Sequence, residues 1–199
     1  MPPVSAVIHR LGAVPFIVWL WIIQLFLLIN APVIAPIDKV DAFRTVLIVY
    51  IVAELMFLDF MPKVPGANMN LNQAIPWMVG GFVVAAIIIA GAGFIKGLGV
   101  QTYAVDAPMY LIILHTSIVG VAETFIFQAT LPKLITPIPA QVLFGVFHVS
   151  AYGGDIMSVL LAIVAGLIFY AITKYANMYA AMGTHAGYNV AIQKILTVI

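Results

Sequence analysis

The sequence predicts an all-α, polytopic bundle of about seven transmembrane helices, forming a single integral membrane domain. Three observations carry that expectation. Of 199 residues, 64% are hydrophobic and only 8% are charged, against about 25% charged in an ordinary soluble domain; the mean hydropathy is +1.17. Apolar runs on the scale of the roughly 20 residues that cross a bilayer recur along the whole chain. None of them alternates polar and apolar residues as the roughly ten-residue strands of a membrane barrel do. In lipid, backbone groups must be satisfied internally, so helices remain. The 8 Lys+Arg balance 7 Asp+Glu without a basic run, which excludes a nucleic-acid partner, since that needs clustered cations. With no cysteine, disulfides, thiolate catalysis and zinc–thiolate sites are excluded, and no cofactor is expected.

The expected spans follow in order. Ala13–Ile34 contains Trp19, Trp21, Gln24 and Asn30. It is too long for a signal-peptide core and lacks a cleavage site, so it reads as a permanent anchor. Pro32 and Pro36 close it. Thr45–Met61 is short, carries Glu54 and ends before Pro62 and Pro65. Ile75–Phe94 is third. Ala107–Thr130 holds His115 and Glu123, and Pro137 and Pro139 separate it from the short Pro139–Ala151, which carries His148. Gly153-Gly154-Asp155 precedes Ile156–Tyr170, and Met178–Thr197 closes the chain with His185 and Asn189. Small residues at Gly80-Gly81, Ala90 to Gly93 and Ala162/Gly166 suit close helix packing. With seven spans, Arg10, Lys63, Lys133 and Lys174 fall on one side and Lys39, Arg44, Lys96 and Lys194 on the other. The positive-inside rule then gives no orientation.

Ionisable residues inside membrane helices cost about 2.5–3.5 kcal/mol each on insertion scales and mark functional sites. Glu54, His115, Glu123, His148 and His185 are of this kind, while Asp59 sits near a helix end. Glu54 is expected to pair with a histidine or line a polar cavity. His115 is expected to serve as a helix–helix contact or a supporting donor. Residues four apart share a helix face, which stacks Phe144 on His148 and His185 beside Asn189. A carboxylate and two imidazoles brought from separate helices can activate a water and hold an oxyanion. The competing reading of each is structural: a hydrogen-bonded carboxyl, a satisfied core histidine, a polar helix contact.

The order and spacing of Glu123, Phe144-Gly145-Val146-Phe147-His148 and His185-Ala186-Gly187-Tyr188-Asn189 resemble the motifs of the CPBP (CAAX protease, or Abi) family of intramembrane glutamate proteases. The resemblance covers roughly residues 107–195; residues 1–106 are generic membrane helices. It implies that Glu123 and His148 activate a water, that His185 and Asn189 receive the oxyanion, and that no metal is required. Phe144, Thr124 and Gln128 would support the site. The family's first motif, E-E-x-x-x-R, is degenerate here: Thr124 stands at its second Glu and Gln128 at its Arg. Both charges are gone together, as if a buried pair had been replaced as a unit. Removing one partner alone would cost about 3–5 kcal/mol.

Two functions are therefore expected from different classes. One is an intramembrane endopeptidase acting on a membrane-protein or lipidated-peptide substrate. The other is an inactive subunit of the same fold that scaffolds a larger membrane complex. A metal or haem site on His148 and His185 is a third. Other intramembrane proteases do not fit. There is no H-E-x-x-H, residues 152–155 read Tyr-Gly-Gly-Asp rather than G-x-G-D, and neither Ser150 nor Ser158 sits in G-x-S-G.

Overall fold

The computed structural model describes residues 15–57, 64–91, 107–149 and 152–192. The readings made at Arg10, Asp59, Lys63, Lys96, Ser150 and Lys194, and at the outer ends of several expected spans, lie outside them. Among the described residues the chain is helical, with one isolated bridge between Pro15 and Asn70. Helix α1 is Phe16–Ile29, α2 Val40–Met56, α3 Leu71–Gly91, α4 Met109–Glu123, α5 Pro137–Phe147, α6 Ile156–Tyr175 and α7 Met178–Val190. Short turns at Ala31–Ile34 and Pro132–Ile135 follow α1 and the α4 region.

Three helical runs are long and apolar enough to cross a membrane: Leu71–Ile89, Met109–Ile135 and Ile156–Tyr175. Helices α1 and α5 are apolar but have 14 and 11 residues. At about 1.5 Å per residue these fall short of a hydrocarbon core about 30 Å thick.

Local chemistry explains the boundaries. Asn30 ends α1 by turning its side-chain amide back onto the Phe26 carbonyl at 2.7 Å, and Pro32 follows without a backbone N–H. Helix α2 begins at Val40, earlier than expected, because Val40 and Phe43 are buried and hold its first turn. Asn70 and Gln73 cap α3 reciprocally: Asn70 accepts from the Gln73 N–H at 3.2 Å and Gln73 accepts from the Asn70 N–H at 3.1 Å. Asn177 caps α7 by accepting from the Ala180 N–H at 2.9 Å.

Asp155 caps α6, accepting from the Ser158 N–H at 2.8 Å. Hydrogen bonding from Ser158 holds its carboxyl below the usual Asp range. A depressed folded value gives stability that is complete above the unfolded value of about 4 and is lost as pH falls through the folded value. The melting temperature of wild type relative to Asp155→Ala is therefore expected to be constant near neutral pH. It should shrink only in acid below about pH 4.

Helix α7 sits at the centre, packed against α3, α4 and α6. It is rich in Ala and Gly, and most of its residues are buried. The large aliphatic residues lie outside instead: Ile87 is 66% exposed, Val164 51% and Ile168 53%. Small residues let backbones approach where lipid supplies no hydrophobic drive between helices. A Cβ on Gly183 would collide with the Met78 carbonyl, and one on Gly187 with the Phe82 carbonyl. Gly81 meets the Ala180 carbonyl in the same way, whereas its neighbour Gly80 faces open space.

Candidate functional site

Immediately after Glu123 the α4 helix widens into a π-helical segment, Thr124–Thr130. Such widenings are rare and cluster at functional sites. The wider turn displaces the i→i−4 ladder, so carbonyls need other donors. Thr130 Oγ1 donates to the carbonyls of Phe125 and Ile126, both at 2.9 Å. The Leu131 N–H also reaches Ile126 O at 2.8 Å.

Glu123, His148 and His185 converge from α4, the C-terminal end of α5 and α7. Glu123 Oε2 lies 3.7 Å from His148 Nε2 and 3.5 Å from His185 Nε2. The Glu123 and His185 side chains are almost fully buried, and His148 keeps 15% of its side-chain surface. The cluster thus opens outward past His148. The other carboxylate oxygen, Oε1, accepts from Tyr50 Oη of α2 at 2.8 Å. Oε2 is buried and, among the described residues, has no hydrogen-bond partner; it is the oxygen nearer the two imidazoles.

The surroundings fix both rings. His148 Nδ1 lies 2.7 Å from the Phe144 carbonyl. A carbonyl only accepts, so Nδ1 carries the proton, and in the neutral ring Nε2 presents a lone pair toward Glu123. His185 Nδ1 lies 3.1 Å from Thr124 Oγ1. With the Thr124 hydroxyl donating to Nδ1, the ring proton sits on Nε2, the nitrogen nearest Glu123. Phe169 stacks on His185 at 4.3 Å between centroids, and Tyr152 on His148 at 5.5 Å. Phe144 presents its ring to His148 at 4.5 Å and to His185 at 5.6 Å. One residue therefore touches both imidazoles and also accepts from one of them.

Thr124 and Gln128 do not act as a pair. Thr124 serves His185, while Gln128 Nε2 donates to Gln141 Oε1 at 2.9 Å. Gln141 Nε2 in turn donates to the Phe127 carbonyl at 2.8 Å. Both lie in the π-helical segment, and their partners stand on different helices, α7 and α5.

Asn189 sits one turn beyond His185. Its amide nitrogen lies 3.4 Å from the Thr116 carbonyl of α4. Among the described residues it makes no hydrogen bond to the Glu123 cluster. Among the described residues Glu54 pairs with no histidine. It is fully buried and accepts from Trp21 Nε1 at 2.7 Å and from Gln24 Nε2 at 3.1 Å to each oxygen, joining α2 to α1. His115 lines a largely apolar cavity of about 170 Å³ between α2 and α4. Among the described residues no set of three His, Cys, Asp or Glu is arranged to hold a metal ion.

Sequence reasoning missed Tyr50, Phe169, Gln141 and Tyr152. Two of these carried a signal. Tyr50 stands four residues before Glu54 and therefore on the same helix face, a polar pair in an apolar run. Gln141 interrupts an apolar helix three residues before Phe144.

No protein-family model, no curated protein and no solved structure matches the chain.

Proposed function

We propose that this chain is an integral membrane endopeptidase of the CPBP type, its shorter helices completing a bundle of about seven spans. The observation that carries the reading is the convergence of Glu123, His148 and His185 around one unpartnered carboxylate oxygen. In the mechanism, substrate entry widens the 3.7 Å gap between Glu123 Oε2 and His148 Nε2, and a water admitted there gives a proton to the carboxylate. Its oxygen attacks the scissile carbonyl carbon. His185 Nε2–H donates to the developing oxyanion, in a buried setting where such a bond is strong. The proton held by Glu123 then passes to the leaving amine, and the C–N bond breaks. Asn189 joins as a second oxyanion donor by exchanging its long bond to Thr116 for one to substrate.

The substrate is a membrane protein or lipidated peptide that approaches past His148, the exposed side of the cluster. Thr124 and Gln128 support the alternative of an inactive scaffold within a membrane complex, because each neutral side chain has its own partner.

Tyr50 provides the test specific to this geometry. Hydrogen bonds to charged groups are worth about 1.5–3 kcal/mol. Tyr50→Phe is therefore expected to lower the hydrolysis rate about 10–100-fold while leaving KM and the folded yield near wild type. Cleavage of a diverse peptide library by purified protein in lipid nanodiscs measures this. An unchanged rate would remove Tyr50 from the mechanism. An absence of cleavage by the wild type across membrane-derived peptides would favour the scaffold.

A further inference from the structure

A second polar feature lies away from the Glu123 cluster, at the end of the bundle where the Met109–Ile135 run and α6 both terminate. Lys133, in the turn after the π-helical segment, and Lys174, in the last turn of α6, frame a small cavity of about 90 Å³. Among the described residues, Tyr170, Thr173 and Gln128 complete its polar wall and no acidic side chain lines it. Among the described residues neither lysine forms an ion pair; Lys174 lies over the Tyr175 ring at 5.1 Å. The Thr173 hydroxyl is committed to the Phe169 carbonyl at 3.0 Å.

The wall thus offers two cations. Phosphate oxygens satisfy the lysines. Beyond Lys174, α6 turns Leu167, Val164 and Leu160 outward at helical spacing, 37%, 51% and 50% exposed. That apolar row leads away from the cavity along the outside of the bundle.

We propose that this cavity binds the headgroup of an anionic phospholipid. Its phosphate sits between Lys133 and Lys174, and its acyl chain lies along Leu167, Val164 and Leu160. The site rests on the membrane placement of the helices and is independent of the peptidase reading.

The test is lipid retention by full-length protein from mixed micelles containing equal phosphatidylglycerol and phosphatidylcholine, read by native mass spectrometry. A surface lysine typically adds about one kcal/mol to anionic-lipid attraction, so two imply a preference of about thirtyfold for phosphatidylglycerol. The double variant Lys133→Gln/Lys174→Gln is expected to lose that preference, and Lys133→Arg/Lys174→Arg to keep it. Lys39→Gln, just before α2 and paired with Asp38 at 3.2 Å, should leave it unchanged. Equal retention of both lipids by wild type, or an undiminished preference in the double Gln variant, overturns the proposal. Displacement of the lipid by an equal concentration of inorganic phosphate also overturns it, in favour of a site for free anions.

Discussion

Gly183→Leu is expected to abolish the accumulation of folded protein. Gly183 lies where α7 meets the backbone of α3, and even a Cβ would collide with the Met78 carbonyl. A backbone carbonyl inside a helix cannot rotate away as a side chain end can. Ordinary core overpacking costs about 1–3 kcal/mol. Here the whole isobutyl group must force two helices apart, and the expected loss exceeds that range. Gly80 provides the control. It lies in α3 beside Gly81, and nothing stands within 4 Å of a Cβ built on it. Gly80→Leu should therefore leave the protein folded. The yield of monodisperse protein on size-exclusion in detergent separates the two variants. Equal yields would contradict the α3–α7 packing and, with it, the placement of His185.

The second large effect falls on chemistry. Glu123→Gln is expected to lower hydrolysis by about 10²–10⁴-fold, the contribution typical of a positioned general base. The amide keeps the size of the carboxyl and still accepts from Tyr50, so the fold is retained. It removes the oxygen lone pairs that would take a proton from water. His148→Ala should lose activity on the same scale. His148 is the least buried member of the cluster, so truncating it leaves no large cavity. Thr124→Val should have a smaller effect, acting through the ring orientation of His185. If Glu123→Gln and wild type hydrolyse equally, Glu123 is a structural carboxyl and the water-activation mechanism fails.

The all-helical fold was legible because composition decides it. A chain this apolar, without alternation, has only helices available in lipid. Loop positions were legible at prolines and at Gly153-Gly154, where both glycines adopt positive φ. Depth within the bundle was not legible. Met178–Val190 has fewer large aliphatic residues than the other helices, yet it is the central helix. Hydropathy distinguishes water from lipid but not lipid from neighbouring helices, since both are apolar.

The convergence of Glu123, His148 and His185 could be anticipated from their spacing and from the expense of placing such groups in a membrane. Tyr50 could not, because its contact with Glu123 joins α2 to α4 and depends on tertiary packing. The separate partners of Thr124 and Gln128 escaped for the same reason, since each contact joins the segment to a different helix, and nothing in Thr-Phe-Ile-Phe-Gln-Ala-Thr marks its π-helical turn. Glu54 was legible as a carboxyl within an apolar helix but its partners were not: Trp21 and Gln24 satisfy it and tie α2 to α1.

The most direct test of the central claim is a survey of peptide termini in membranes carrying wild-type protein or Glu123→Gln at matched abundance. The peptidase reading predicts new termini in membrane proteins or lipidated peptides that appear only with wild type. Identical termini in the two membranes, with the variant supporting whatever the wild type supports, would contradict it and leave a scaffold built on the same cluster.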